Sequence, residues 1–399
     1  MTTPIPSPDD VVVIGARRTP QGKLRGQLAG VDAVTLGATA IRSAIAAAGI
    51  GTAAVDHVIM GQVVQADSGQ NPARQSAVGA GLPMSTPAMT VNSVCLSGLR
   101  AVIDAARMLR LGEATVVVAG GQESMSNAPH LLRGARSGVA YGAMTTVDAL
   151  ERDALTDAFD HGSMGVNTES GNQPRSITRE QQDEVAAVSH QRAAEAWERG
   201  VFDAEIAAVD VPQRKGAPVV VERDEGIRPE STVETLGRLR PAFATDGTVT
   251  AGNSSPISDG AAAVVLTTRA WAEEQGIEPL VTVGVAGQVA GPDTSLHSQP
   301  AAAITAAVDR AGWSVSDLDF IEINEAFGAV AVASLAELGY PLEKTNPHGG
   351  AIALGHPVGA SGGRLVVHAA HELARRGTGR AAVALCGGGG QGDALLLWR

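Results

Sequence analysis

Cysteine, aromatic residues and positive charge are all scarce in this chain of 399 residues. The two cysteines, Cys95 and Cys386, are too few for a disulfide scaffold or a four-cysteine zinc site. The 42 acidic residues outnumber the 30 basic ones, and the net charge of −12 leaves no general basic surface for nucleic acid or anionic lipid. No apolar run approaches the roughly 18 residues that a membrane-spanning helix needs. The composition predicts a soluble globular protein without nucleic-acid or membrane partners.

We recognise no targeting signal at either end of the sequence. The beginning, MTTPIPSPDD, lacks the basic region and apolar core of a secretory signal, and the ending Leu397-Trp398-Arg399 is not a peroxisomal tripeptide. We therefore expect a cytoplasmic protein. Glycine is abundant, with 48 residues, so the core should combine small aliphatic side chains with close backbone contacts.

Apolar runs alternate with helical patterns along the first part of the chain. Short apolar runs at 88–91 and 114–119 flank a helical segment at about 96–110. Strands that are apolar throughout and alternate with helices are typical of α/β folds. Because such strands are usually buried on both faces, we expect a mainly parallel sheet.

The later part of the chain repeats this arrangement. The segment 40–58 matches the segment 303–321 at an offset of 263 residues, each running from an Ala-rich helix through a glycine to a strand. Further on, Ser97 and Ser361 both open helices at an offset of 264. Two copies of one αβ unit are therefore predicted, with one cysteine in each.

The stretch between the copies, at about 122–249, is more polar and richer in turns. One clear helix is expected there, at about 179–199, and Thr178 with Gln181 forms a capping box at its start. We interpret this stretch as a loop-rich insertion that covers one face of the sheets as a lid. The predicted domains are an N-terminal domain of residues 1–121 and 250–270, the insertion at 122–249, and a C-terminal domain at 271–399.

Cys95 lies where an apolar strand meets a long helix. A thiol there experiences the positive end of the helix dipole, which lowers its pKa and supplies a nucleophilic thiolate. The alternative is a small buried hydrophobic residue, which is the commonest role of a free cysteine.

Three further positions could carry chemistry. Cys386 precedes the glycines 387–390, whose free backbone N–H groups could form an oxyanion site or a phosphate cradle, or simply a tight turn. His356 lies in a glycine-rich loop before Pro357 and could act as the general base for a thiol, although a lone loop histidine usually has no function. Asn324 ends another strand, where it could orient a water, donate to an oxyanion or cap the next helix.

Taken together, the segments around these residues resemble the thiolase family, and the resemblance runs through essentially the whole chain. The stretches that carry it are NSVCLSGLRA around Cys95, GGQESMSNAPH from Gly120, ITREQQDE from Ile177, LRPAF from Leu239, GTVTAGNSSPISDGAAA from Gly247, INEAF from Ile323, GGAIALGHPVGASGGR from Gly349 and CGGGGQG from Cys386. The resemblance, greatest to the acetyl-transferring members, implies an α/β thiolase-like fold. In it, two duplicated βαβαβαββ domains form a layered αβαβα core beside a loop-rich insertion domain.

The resemblance also implies a reaction, the reversible Claisen condensation of two acetyl-CoA molecules to acetoacetyl-CoA and CoA through an acyl-cysteine. Cys95 would be the acylated nucleophile and His356 its base, while Cys386 would deprotonate the second acetyl-CoA. A water held by Asn324 would stabilise the enolate together with His356. The backbone N–H groups of Cys95 and Gly388 would hold the tetrahedral intermediate.

For coenzyme A, the resemblance implies a substrate surface and no permanently bound cofactor. Its residues would be Arg228 and Ser255 at the nucleotide and pantetheine parts, with Met164, Phe243, Ala251 and Phe327 as apolar lining. Arg238 and Arg240 could complete a basic patch for the polyanionic coenzyme, or could be ordinary surface. No metal site is expected, because no His or Cys pair has ligand spacing. The family further implies acyl-CoA partners, a homo-oligomer built as a dimer of dimers, and fatty acid metabolism.

Two segments depart from the family pattern and leave alternatives open. Ser163 stands where a histidine usually borders the acyl pocket, so the acyl-chain preference is open. Residues 289–300 replace the usual MGxGPxPA loop, so its contacts cannot be transferred. The alternatives are a degradative 3-ketoacyl-CoA thiolase of longer chains, a catalytically silent CoA-binding relative and a dithiol redox pair. Histidines other than His356 have no comparable setting.

Overall fold

The computed structural model describes residues 6–399, and the expectations for residues 1–5 lie outside this range. The elements up to residue 124 are β1 (Val11–Arg18), β2 (Gly22–Lys23), α1 (Ala33–Ala47), β3 (His57–Gly61), α2 (Pro72–Gly79), β4 (Ala88–Val91), α3 (Ser97–Arg110) and β5 (Val116–Ser124).

The elements between the two copies are short, apart from one long helix. They are β6 (His130–Leu132), β7 (Thr146–Asp148), α4 (Met164–Asn172), α5 (Arg179–Glu198), β8 (Val209–Val211), β9 (Val219–Val221) and α6 (Val233–Gly237). The remaining elements are β10 (Ser258–Thr268), α7 (Arg269–Glu274), β11 (Val281–Ala290), α8 (Gln299–Ala311), β12 (Phe320–Ile323), α9 (Gly328–Leu338), α10 (Ala351–Leu354), α11 (Ser361–Arg376), β13 (Arg380–Gly387) and β14 (Gln391–Trp398).

Ten strands form one sheet in the order β12-β13-β14-β11-β1-β10-β5-β3-β4, with β2 attached to β10. Among the strands of residues 6–399 in this sheet, only the pairs β12–β13, β3–β5 and β3–β4 are parallel, and the other pairs are antiparallel. The expectation of a mainly parallel sheet is therefore wrong. The strands are apolar throughout because helices cover both faces of the sheet, and this burial does not depend on strand direction.

The structure confirms the internal repeat. The first half has the strand order β4-β3-β5-β10-β1. The second half follows the same order with β12, β13, β14 and β11, and a parallel bridge between Ile321 and Thr345 stands where β4 pairs with β3. The two halves join through β1 and β11, which pair over only two residues each.

The packing produces five layers. The largest buried cluster holds α3 and α11 between the inner faces of the two half-sheets. A second cluster packs α1 against the outer face of the first half, and a third packs α8 against the outer face of the second. The expected αβαβα core is confirmed. Within residues 6–399, no helix combines the length and apolarity needed to cross a bilayer.

The expected elements are largely present, with instructive differences at their ends. The helix after Cys95 and the capping box of α5 are as predicted. Strand β5 continues past the predicted end at residue 119, because Gly120 and Gly121 let neighbouring backbone approach closely. A Cβ atom on Gly121 would lie 2.0 Å from the carbonyl oxygen of Gly359. The insertion contains more helix than expected, in α4 and α6.

Candidate active site

A small apolar cavity of about 80 Å³ lies between the two halves of the fold. This volume accommodates only a few water-sized groups. The lining residues are Cys95, Met125, Ala154, Leu155, Met164, Ser255, Pro256, Ile257, Leu296, Ala326, Phe327, His356, Val358, Cys386, Gly387 and Gly388. Seven residues singled out from the sequence therefore surround one space, although they lie far apart in the chain.

Cys95 is presented by a strained turn between β4 and α3. Val94 has a φ of +52°, a left-handed conformation that is unusual for a β-branched residue. The side chain of Ser97 holds this turn closed, since its Oγ accepts from the N–H of Ser93 at 2.9 Å and donates to the carbonyl of Val94 at 2.5 Å. The strain and the clamp fix the position of the thiol at the cavity.

The surroundings of Cys95 act on its pKa in opposite directions. Desolvation in the apolar cavity raises the pKa of the thiol to about 12, and the backbone N–H groups of Gly388 and of Cys95 itself partly oppose this. The expected lowering by the dipole of α3 is therefore wrong for this structure. Desolvation outweighs the dipole, and the thiol is held neutral. The same two N–H groups are directed at the sulfur of Cys95.

His356 is fixed by hydrogen bonds on its backbone and ring. Its N–H donates to Oγ of Ser258 at 3.1 Å, and its Nδ1 lies 2.6 Å from Oγ of Ser361. The hydroxyl of Ser361 donates to the carbonyl of Pro357 at 3.0 Å, so Nδ1 is the donor to Ser361 and Nε2 carries the lone pair of the ring. Burial, and then the positive charge of Arg364, lowers the pKa of His356 to about 3. The ring is a neutral base.

Asn324 lies beside the ring of His356. The helix that follows begins at Gly328, so Asn324 does not cap it. Its Nδ2 lies 3.4 Å from both ring nitrogens of His356, and its buried Oδ1 has no hydrogen-bond partner among residues 6–399. A buried carbonyl oxygen without a partner is a natural acceptor for an ordered water.

Cys386 lies near the end of β13, at the start of the turn that returns the chain as β14. Burial raises its pKa, and the proximity of Cys95 raises it further. The turn passes through Gly389 and Gly390 with φ values of +76° and +68°, which glycine adopts without strain. The buried carboxylate of Asp157 accepts from the N–H of Gly389 at 3.0 Å and ties the turn to the insertion.

The residues expected at coenzyme A are only partly brought together. Met164, Ser255 and Phe327 line the cavity, whereas Phe243 does not and meets Phe327 edge-on with ring centroids 6.3 Å apart. Ala251 and Arg228 are exposed and lie outside the cavity lining. Arg228 lies against the ring of His190. Arg238 pairs with Glu234 on α6, and Arg240 is exposed.

Sequence reasoning missed several residues that support the site. Ser361 and Asp157, described above, are two of them, and Glu123 is a third. Its fully buried carboxylate accepts from the N–H groups of Val63, Val64 and Gly359 at 2.9 to 3.1 Å. Ser361 and Glu123 lie inside the family-like stretches, but no spacing rule relates them to the cysteines. Within the described range, no group of three His, Cys, Asp or Glu side chains could hold a metal ion.

Two family models match the chain in succession. The model described as "Thiolase, N-terminal domain" matches residues 11–270, and the model described as "Thiolase, C-terminal domain" matches residues 277–399. Together they span nearly the whole sequence.

Individual proteins match over the same length. A protein of Mycolicibacterium smegmatis named "Probable acetyl-CoA acetyltransferase" is 54% identical over 388 residues, which are 97% of this chain and 100% of that protein. The "Acetyl-CoA acetyltransferase" of Pseudomonas aeruginosa is 47% identical over 98% of this chain and 99% of its own. The crystal structure of the Bacillus anthracis acetyl-CoA acetyltransferase superposes with a TM-score of 0.95 at 38% identity, covering 98% of both chains.

Proposed function

The chain belongs to the thiolase family, and we propose that it is an acetyl-CoA acetyltransferase, which joins two acetyl-CoA molecules into acetoacetyl-CoA and releases CoA. The observation that carries this proposal is the convergence of two thiols and one imidazole on a single small apolar cavity. A nucleophile, its base and a second acid–base group are the parts that a two-step acyl transfer with carbon–carbon bond formation needs.

In the first half-reaction, the proton of Cys95 passes to Nε2 of His356 and the thiolate attacks the thioester carbonyl. The oxyanion accepts hydrogen bonds from the N–H groups of Cys95 and Gly388. When the intermediate collapses, CoA leaves as a thiolate and takes the proton of Cys386. The products are acetyl-Cys95, free CoA, protonated His356 and the thiolate of Cys386.

In the second half-reaction, the thiolate of Cys386 recovers its proton from the methyl group of a second acetyl-CoA. Protonated His356 and a water on Oδ1 of Asn324 stabilise the enolate, whose carbon attacks the acetyl-Cys95 carbonyl. Collapse forms acetoacetyl-CoA and expels the thiolate of Cys95, which takes its proton back from His356. Every group returns to its starting state, so the same steps run backwards as thiolysis.

The electrostatics define the resting state of this cycle. Both thiols have raised pKa values and His356 has a lowered one, so all three are neutral before substrate binds. The negative charge that then appears at Cys95 faces the backbone N–H groups of Cys95 and Gly388, and a low-dielectric cavity makes such an interaction strong.

The remaining parts of the proposal concern the surroundings of the site. We propose that residues 122–249 form the lid over the CoA thioester, which is a substrate and not a resident cofactor. Ser255, Phe327 and Phe243 would contact pantetheine, and Arg228 the nucleotide. Exposed apolar side chains at Val139, Tyr141 and Met144 support a homo-oligomer with this face at a contact, and the dimer of dimers stays a prediction. Cytoplasmic location and a role in fatty acid metabolism also stay predictions.

The experiment that tests the proposal is CoA-dependent thiolysis of a series of 3-ketoacyl-CoA substrates, beginning with acetoacetyl-CoA. We expect the highest kcat/KM on acetoacetyl-CoA, because the cavity beside Cys95 is small. The Cys95→Ser variant is the control for activity from contaminants. A preference for longer chains would identify the degradative class of thiolase, and no activity on any substrate would leave a silent CoA-binding relative.

A further inference from the structure

His297 is fully buried between the C-terminal half and the insertion, two residues before α8. Its Nε2 lies 2.9 Å from Oδ1 of Asn172, and its Nδ1 lies 3.2 Å from Oγ of Ser295. An amide oxygen only accepts, so Nε2 donates to Asn172 and Nδ1 accepts from the serine hydroxyl. The ring thus joins the end of α4 to the segment that precedes α8.

The hydrogen bonds continue from Asn172 into the insertion. Its Nδ2 donates to Oγ1 of Thr248 at 2.9 Å, and this hydroxyl donates to Glu169 at 2.9 Å. Gln182 of α5 donates to the same hydroxyl at 3.0 Å. Each donor in this series has an acceptor, which fixes the orientation of the amides and of the ring.

This series of bonds lies beside the wall of the catalytic cavity. Leu296 and Met164, the first residue of α4, pack in the same apolar cluster as Cys386. Met164 also lines a second cavity of about 620 Å³, which shares Ala154 and Gly388 with the first. Because Met164 belongs to α4 and lines both cavities, the place of its side chain between them depends on where α4 is held.

The imidazole ring also packs directly on α4. A Cβ atom on Gly171 would lie 2.4 Å from Cε1 of His297, so the last turn of the helix rests on the ring. Burial lowers the pKa of His297 to about 4, and the ring is therefore neutral near pH 7. The directed bonds to Asn172 and Ser295 persist throughout the neutral range.

We propose that His297 is a positioning residue that limits acyl-chain length, because its bond to Asn172 holds α4 where Met164 separates the catalytic cavity from the larger one. The proposal rests on the proposed thiolase activity. When α4 is released, Met164 no longer closes the cavity, and a longer acyl chain on Cys95 can extend into the second space. Selectivity then relaxes while the chemistry on the short substrate continues.

The test is the ratio of kcat/KM for thiolysis of 3-ketohexanoyl-CoA to that of acetoacetyl-CoA, measured on the full chain. Both values come from one sample, so the folded fraction cancels from the ratio. His297→Asn removes the donor at Nε2, whereas His297→Gln keeps an N–H near that position. Asn172→Ala removes the acceptor, and Ser295→Ala removes only the bond to Nδ1.

We expect the ratio to rise about tenfold in His297→Asn and in Asn172→Ala, the order of discrimination that a pocket achieves per methylene. It should stay within about twofold of wild type in His297→Gln and Ser295→Ala. An unchanged ratio in Asn172→Ala, or an equal rise in His297→Gln or Ser295→Ala, would overturn the inference. If His297→Asn fails to fold, Asn172→Ala carries the test. Wild-type protein that cleaves neither substrate would instead overturn the proposed function.

Discussion

The two halves of the fold repeat the same elements but carry different side chains at equivalent places near the cavity. The offsets of 263 and 264 residues that relate the halves define these places. The equivalent pairs are Gly61 and Asn324, Asn92 and His356, Cys95 and Gly359, and Gln122 and Cys386. At each pair, one half contributes a reactive or hydrogen-bonding group to the proposed site and the other does not.

The unreactive members of these pairs have structural contacts of their own. Gln122 accepts from Ser76 at 2.7 Å and donates to Gln62 at 3.0 Å inside the first half. A Cβ atom on Gly61 would lie 2.5 Å from the carbonyl carbon of Ser97, so this glycine lets α3 approach β3. In the proposed mechanism, the first half supplies the nucleophile on a rigid support, and the second half supplies the acid–base groups. The reaction proposed for the cavity between the halves needs both kinds of group.

Substitution of Cys95 should have the largest effect on activity. Cys95→Ser should retain the fold and lose acyl-enzyme formation, with turnover reduced at least about 10³-fold, because a neutral hydroxyl is a far weaker nucleophile than a thiolate. The measurement is the mass of the protein after mixing with acetyl-CoA and the rate of thiolysis. A normal burst of acylated protein in this variant would contradict the role of Cys95.

A second variant separates the contribution of the second half. Cys386→Ser should still become acylated at Cys95, yet condense or cleave about 10²- to 10³-fold more slowly, because the proton of the second acetyl-CoA has no acceptor of matched pKa. Mass spectrometry of the acyl-enzyme and steady-state thiolysis on the same sample distinguish the steps. Turnover equal to that of the wild type would remove Cys386 from the mechanism.

The position equivalent to Cys386 should respond in the opposite way. Gln122→Ala leaves the buried Oε1 of Gln62 without its donor and removes the acceptor that Ser76 has at 2.7 Å, although Ser76 keeps the carbonyls of Val34 and Pro72. The variant should lower the free energy of unfolding by about 1–3 kcal/mol, with activity per folded molecule within about twofold of wild type. Denaturant unfolding and thiolysis, corrected for the folded fraction, make the measurement. A large loss of kcat at unchanged stability would show that the first half takes part in proton transfer as well.

Much of this organisation is predictable from the sequence, for physical reasons. The repeat was readable because helix ends, glycine turns and apolar strands recur at a fixed offset, as at Ser97 and Ser361. The family-like stretches around Cys95, His356 and Cys386 identified the residues that the fold gathers at one cavity. Strand direction was not readable, because burial on both faces makes a strand apolar whichever way its neighbours run.

Other features of the site depend on the packed structure itself. The pKa of Cys95 depends on how far the cavity is desolvated, and no local pattern reports this. No local pattern singles out His297, because its partner Asn172 lies 125 residues away in the sequence. The departure of residues 289–300 from the family pattern was a signal that contacts differ there, but the sequence did not indicate their nature.

The smallest expected effect is on the pH dependence of activity. His356 can titrate, whereas Asn92, its equivalent in the first half, has no titratable group. Because the folded pKa is about 3, the neutral base is present above pH 4, and kcat/KM for thiolysis should change less than about twofold from His356 between pH 5.5 and 7.5. The unfolded chain protonates this ring near the ordinary imidazole pKa of 6.5, so its contribution to stability is present above that pH and declines in more acidic solution.

A pH profile of initial rates, with folding followed at each pH by circular dichroism, makes this measurement. Burial raises the pKa of Glu123 to about 7, so its carboxyl also titrates in this window, and Glu123→Gln separates the two groups. An acid limb that keeps a midpoint near 6.5 in Glu123→Gln would show an ordinary imidazole at the site. It would also mean that the cavity of the free enzyme is hydrated, since kcat/KM reports the free enzyme and restored solvation would return the pKa of the ring to its usual range.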